Sequence, residues 1–168
     1  SVLQWEASLH LGQAYCVTGD FGRAAELLRR NVEAPDHGLD TFSTDVRIES
    51  QAWLATVSSA LGNFAEGQRH AEEALLLATS GGRGAIPIIA YGSLGQLHCA
   101  KGDIEQAIRA LRQCVALCRA SGHKAWLRYA AARSCSPSSA SEIAGETCTR
   151  YTVASGATSD KATCAARR

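Results

Sequence analysis

One pattern occurs three times along this chain, and it limits the possible folds more than any other feature of the sequence. It reads Leu11-Gly12-Gln13-Ala14-Tyr15-Cys16-Val17-Thr18-Gly19-Asp20-Phe21, then Leu54-Ala55-Thr56-Val57-Ser58-Ser59-Ala60-Leu61-Gly62-Asn63-Phe64, then Leu94-Gly95-Gln96-Leu97-His98-Cys99-Ala100-Lys101-Gly102-Asp103-Ile104. The three segments align without gaps, and their glycines Gly19, Gly62 and Gly102 recur at 43 and 40 residues. A unit of that length repeated three times is one supersecondary element stacked on its copies, not three separate domains.

Each unit reads as a pair of helices. Before the glycine, apolar residues return at helical spacing, and after it Ile104, Ala107, Ile108, Leu111 and Val115 form a second stripe. Glycine tolerates the left-handed conformation that ends a helix, and the following Asp20, Asn63 or Asp103 is a good N-cap for the next one. Asn63 with Glu66, and Asp103 with Gln106, have the spacing of a capping box. A link this short forces an antiparallel pair. The expected fold is all-α, with helices over 2–18 and 20–33, 44–61 and 63–80, and 86–101 and 103–121, followed by a short capping helix over 123–133. Gly12, Ala55 and Gly95 share one repeat position and Ala24 and Ala107 another, so small side chains are expected where helices approach closely.

Leu11, Gly12, Tyr15, Gly19, Asp20, Phe21 and Ala24 together resemble the tetratricopeptide repeat family. The third unit matches at Leu94, Gly95, Gly102, Asp103 and Ala107 with His98 in place of the aromatic, and the second is degenerate, with Ser58 for the aromatic and Gly67 for the alanine. The resemblance covers residues 1 to about 122. It implies a right-handed superhelical array whose first helices line a concave groove that holds a protein or peptide. The groove positions it implies are Leu9, Gln13 and Cys16 in the first unit, Thr56 and Ser59 in the second, and Gln96 and Cys99 in the third. The Lys/Asn clamp that some members use to grip a peptide carboxylate is absent. A spacing of 40 or more, against 34 in the basic repeat, is similar to that of long-linker repeats in large bacterial signalling ATPases and nucleotide cyclases. The competing expectation is therefore a helical sensor or regulatory fragment of such an enzyme.

Charge argues against other partner classes. Seventeen Lys and Arg against sixteen Asp and Glu leave a formal charge of +1, and the basic residues form no run. Nucleic acid and anionic membrane are not expected partners. No apolar stretch approaches the ~18 residues of a spanning helix, and Ser1 to Glu6 lack a basic, cleavable leader, so a cytoplasmic protein is expected. The absence of Met and a start inside a helical pattern fit a piece of a longer polypeptide, or a chain trimmed of its initiator; self-association through an uncapped repeat end is a further expectation.

Chemistry is not expected. Seven Cys include no C-x-x-C pair. Cys114 and Cys118 share a helix face, but His98 and Cys99 point about 100° apart on theirs, so no metal site and no cofactor are expected. Gly81-Gly82-Arg83-Gly84 lacks the Lys-Ser/Thr of a phosphate loop, and Tyr91-Gly92-Ser93-Leu94-Gly95 has the wrong spacing for a nucleophile elbow. No acid, base and nucleophile set converges, so the chain is not expected to be an enzyme. The repeat domain is expected to span residues 1–133. Beyond it, 134–168 is rich in Ala, Ser and Thr and poor in large apolar residues, which fits a disordered tail, an out-of-frame stretch or a divergent helix near 141–149.

Overall fold

The computed structural model describes residues 2–34, 41–81 and 84–122. The expected capping helix over 123–133, the tail and part of the loop around Gly81 to Gly84 lie outside the described residues. Six helices follow in order: α1 Val2–Thr18, α2 Phe21–Glu33, α3 Thr41–Ala60, α4 Phe64–Gly81, α5 Ile86–Lys101 and α6 Ile104–Ser121. They form three hairpins, α1/α2, α3/α4 and α5/α6, and no strand occurs among the described residues. Between hairpins, α3 packs on α1 and α2, and α5 on α3 and α4.

The turns explain why the repeated glycine and the polar residue after it occur together. Gly19, Gly62 and Gly102 have φ of 83°, 78° and 82°, a left-handed conformation in which any Cβ is strained. Each turn closes with the same two backbone bonds: Gly19 N to Cys16 O and Asp20 N to Tyr15 O, Gly62 N to Ser59 O and Asn63 N to Ser58 O, Gly102 N to Cys99 O and Asp103 N to His98 O. That pairing satisfies the last carbonyls of the first helix. The carbonyls of Asp20, Asn63 and Asp103 then accept from Ala24, Gly67 and Ala107, so one residue both ends a helix and begins the next.

The expected caps need two corrections. Asp20 caps α2, accepting from Arg23 N at 3.2 Å, whereas Asp103 makes no side-chain cap bond. Its carboxylate turns back to Lys101 Nζ at 2.9 Å and His98 Nδ1 at 3.5 Å. Glu66, expected in the other capping box, pairs with Arg29 of α2 at 3.2 Å and lies 3.6 Å from His70. Stronger charged partners take both carboxylates away from capping.

Close helix approach occurs where the small residues predict it. A Cβ on Gly12 would lie 2.9 Å from Leu28 Cγ, and one on Gly95 2.7 Å from Leu111 Cγ. Leu28 and Leu111 thus fill the space left by a missing side chain and are buried to 0% and 2%. The expected surface ion pairs Glu26–Arg30 and Glu105–Arg109 form on exposed faces of α2 and α6.

Candidate groove

The first helices of the three hairpins share one face, and a cavity of about 340 Å³ opens on it. Its lining comes from Cys16 and Val17 of α1, Phe21 at the start of α2, Trp53, Thr56, Ser59 and Ala60 of α3, and Gln96 and Ala100 of α5. A separate recess of about 10 Å³ shares Trp53, Thr56 and Gln96 with it and is also lined by Ala52, Ile89 and Ser93. Helical geometry puts Trp53, Thr56 and Ala60 on one side of α3, and Gln96 and Ala100 one turn apart on α5. Two aromatic rings and short aliphatic groups therefore sit beside hydroxyl and amide groups.

Polar contacts link the lining across hairpins. Thr56 Oγ1 donates to Gln96 Oε1 at 3.4 Å and lies equally far from Ala52 O. Ser59 Oγ is buried without a hydrogen-bond partner among the described residues. At the α1 end, Gln13 Nε2 donates to Glu49 Oε1 at 2.8 Å, and His10 Nδ1 lies 3.2 Å from Gln13 Oε1. Trp53 directs its indole N–H toward the same carboxyl, short of full hydrogen-bond geometry. Burial pushes the Glu49 carboxyl above its ordinary pKa, Asp45 adds to the rise, and the Trp53 and Gln13 donors and His10 oppose it.

Four of the residues assigned to the groove by sequence, Cys16, Thr56, Ser59 and Gln96, meet at this cavity. Gln13 is half-buried and committed to Glu49 instead of facing solvent. Cys99 is half-buried on α5 and does not line the cavity. Leu9 requires correction: it is 2% exposed and packs with Ala24, Leu28, Val46, Leu54 and Val57 in the core between the first two hairpins. Its counterpart, ten residues before the next turn glycine, is Ala52, 1% exposed; the position faces inward because the neighbouring hairpin covers it. Val17, Phe21, Trp53, Ala60 and Ala100 complete the lining beyond the positions that the repeat resemblance implies. Val17, Ala60 and Ala100 share one repeat position, so the register contains their signal; Phe21 and Trp53 join through tertiary packing alone.

The remaining candidates are structural. Ser93 is buried in α5 and donates to Ala90 O at 3.0 Å. Cys114 Sγ donates to Ile88 O at 3.4 Å, and burial together with Cys118 pushes its thiol up to about 12. None of Cys16, Cys99, Cys114 and Cys118 is in a disulfide, and no group of three or more metal-ligating side chains converges among the described residues. No described helix is long and apolar enough to cross a membrane. Residues 47–120, which contain α4, α5 and most of α3 and α6, match the family model described as tetratricopeptide repeat. No curated protein matches the chain.

Proposed function

Since residues 47–120 form a tetratricopeptide repeat region, a helical scaffold of the kind that generally binds proteins or peptides, we propose that this chain holds an extended polypeptide segment in the groove on α1, α3 and α5 and serves as a regulatory, cytoplasmic interaction module. The observation that supports this reading is the cavity itself, with Trp53 and Phe21 beside Thr56, Ser59 and Gln96. Aromatic rings with few rotors contribute apolar contact at small entropic cost, and adjacent hydroxyl and amide groups satisfy a peptide backbone. The sparse charge favours an uncharged segment and disfavours a terminal carboxylate, for which the lining offers no Lys or Arg. No step of catalysis is assigned to the chain.

A phage-displayed peptide library selected on the full chain tests this. Selected peptides should lose about tenfold or more in affinity for Thr56→Arg and Gln96→Arg, a loss equivalent to removing one or two buried hydrogen bonds. Arg30→Glu and Arg109→Glu, on exposed faces of α2 and α6, should leave affinity unchanged. The reverse pattern would place binding on the outer face and end the groove reading.

A further inference from the structure

The apolar side chains that α1 leaves in solvent form a line. Leu3 is 76% exposed and Leu11 48% exposed, and Ala7 and Ala14 are exposed beside them. Residues 3, 7, 11 and 14 form one stripe of a helix. Counted back from the turn glycines, they occupy the repeat positions of Val46, Ser50, Leu54 and Val57 in α3 and of Ile86, Ala90, Leu94 and Leu97 in α5. The α3 set is buried throughout, at 6% or less. In α5, Ile86, Ala90 and Leu97 are buried and Leu94 half-buried. The covering helix is in each case the second helix of the hairpin before: α2 packs on α3, and α4 on α5. The approach is close, for a Cβ on Gly67 of α4 would lie 2.9 Å from Leu97 Cδ1.

We propose that the Leu3, Ala7, Leu11 and Ala14 face of α1 is an open stacking face whose occupant is the second helix of a further repeat hairpin. That helix is amphipathic and presents a glycine or alanine with an alanine or leucine four residues on, as α2 presents Ala24 and Leu28 and α4 presents Gly67 and Ala71. The same interface, in the same register, occurs twice within the chain, and α1 carries its uncovered half. A second copy of this chain is a poorer occupant. The α6 side chains at the corresponding positions, Ala107 and Leu111, are already buried. Two α1 stripes placed face to face would oppose only two leucines and two alanines each, well short of the ~800 Å² per partner of a stable interface. Leu3 and Leu11 lie outside the cavity lining, so this assignment is independent of the groove.

The test duplicates residues 41–85 ahead of Leu3 in the full chain, so that Ala85 leads into Leu3 as it leads into Ile86. Leu3→Glu with Leu11→Glu is then made in both the original and the extended chain, and thermal unfolding is followed. The extended chain should melt higher than the original and show slower amide exchange over Val2–Thr18. The glutamate pair should lower its melting temperature by about 5 °C or more, while shifting the original chain by less than about 2 °C, because only in the extended chain are those positions buried. Equal shifts in both chains would overturn the proposal, as would an extended chain that melts lower or gains no protection in α1. Sedimentation showing that the original chain self-associates, and that the glutamate pair dissolves the association, would overturn it in favour of a second copy.

Discussion

The outer hairpins and the middle one pack the same backbone with opposite choices of residue. In α1/α2 and α5/α6, a glycine on the first helix lies under a leucine on the second, Gly12 under Leu28 and Gly95 under Leu111. In α3/α4 the same two positions are Ala55 and Ala71, both 0% exposed. The trade recurs one step along: where α2 and α6 have Ala24 and Ala107, α4 has Gly67, and its missing Cβ admits Leu97 of the next hairpin and the carbonyl of Ala55 at 3.2 Å. What read as degeneracy in the second unit is a different distribution of side-chain bulk between the two helices, with the positions buried in each case.

The largest test of that comparison lies in the third hairpin. Leu111→Ala should cost about 2–5 kcal/mol in urea unfolding, since it empties a fully buried site. Gly95→Ala alone should also destabilise, because about 1–3 kcal/mol of overpacking against Leu111 outweighs the ~1 kcal/mol that alanine gains in a helix. Combined, the two changes reproduce the Ala55/Ala71 arrangement and should cost less than their sum by roughly 1 kcal/mol or more. Strict additivity would mean that the glycine and leucine do not answer each other.

The mirror experiment in the middle hairpin has a smaller expected effect. Ala71→Leu should cost about 1–3 kcal/mol by crowding Ala55, and adding Ala55→Gly should recover part of it. If the second change deepens the loss, the middle hairpin is not packed by the same rule.

The hairpins also differ in polarity at their cores. His70 and Gln51 are buried and hydrogen-bonded to each other across α3 and α4, where the third hairpin has Ala110 and Tyr91. Burial, with Arg69 nearby, holds the His70 pKa below its ordinary 6.5. The unfolded chain therefore protonates at higher pH than the folded one, so stability present above 6.5 is lost as pH falls through that value toward the depressed one. Glu49 acts in the opposite sense: its pKa is raised above 4.5, so folding gains as pH falls from that raised value toward 4.5. Melting temperature against pH should show a loss below about pH 6.5 that His70→Asn flattens and Glu49→Gln steepens. A profile unchanged by His70→Asn would remove the buried histidine from the account.

The smallest effects separate the turns. Asp20→Ala should cost about 1 kcal/mol, since it removes a cap bond. Asp103→Ala should cost less, and its effect should fade in high salt, because that part-exposed carboxylate serves Lys101 and the edge of buried His98 rather than the helix end. The Lys101 bond, opposed by a smaller effect of burial and helped by His98, keeps the Asp103 carboxyl below its ordinary pKa.

How much could be read beforehand follows from where the information lies. Helix boundaries were legible to within three residues because they are written locally: Gly19, Gly62 and Gly102 each need a left-handed backbone, and the next residue starts the following helix. Cys16, Thr56, Ser59 and Gln96 were legible as neighbours because repeat register carries a face from one hairpin to the next. Leu9 was misplaced because register says which positions correspond but not which side the adjacent hairpin covers. The meaning of Gly67 was hidden for a related reason: its partner Leu97 lies in another hairpin, and a match to the repeat pattern scores each unit alone. The capping boxes failed at Glu66 and Asp103 because Arg29 and Lys101 compete for the same oxygens, and spacing along one helix does not reveal a competitor.

Cys114 supplies the hairpin with a clock. With burial pushing its thiol up to about 12, Cys114 is held in the protonated form at neutral pH, and its Sγ donates to the carbonyl of Ile88 inside the α5/α6 core. An alkylating reagent therefore reaches it only when that core opens, whereas Cys16 lies on the cavity wall. The labelling rate of Cys114, resolved by peptide mass, is therefore a measure of how often the core around it opens.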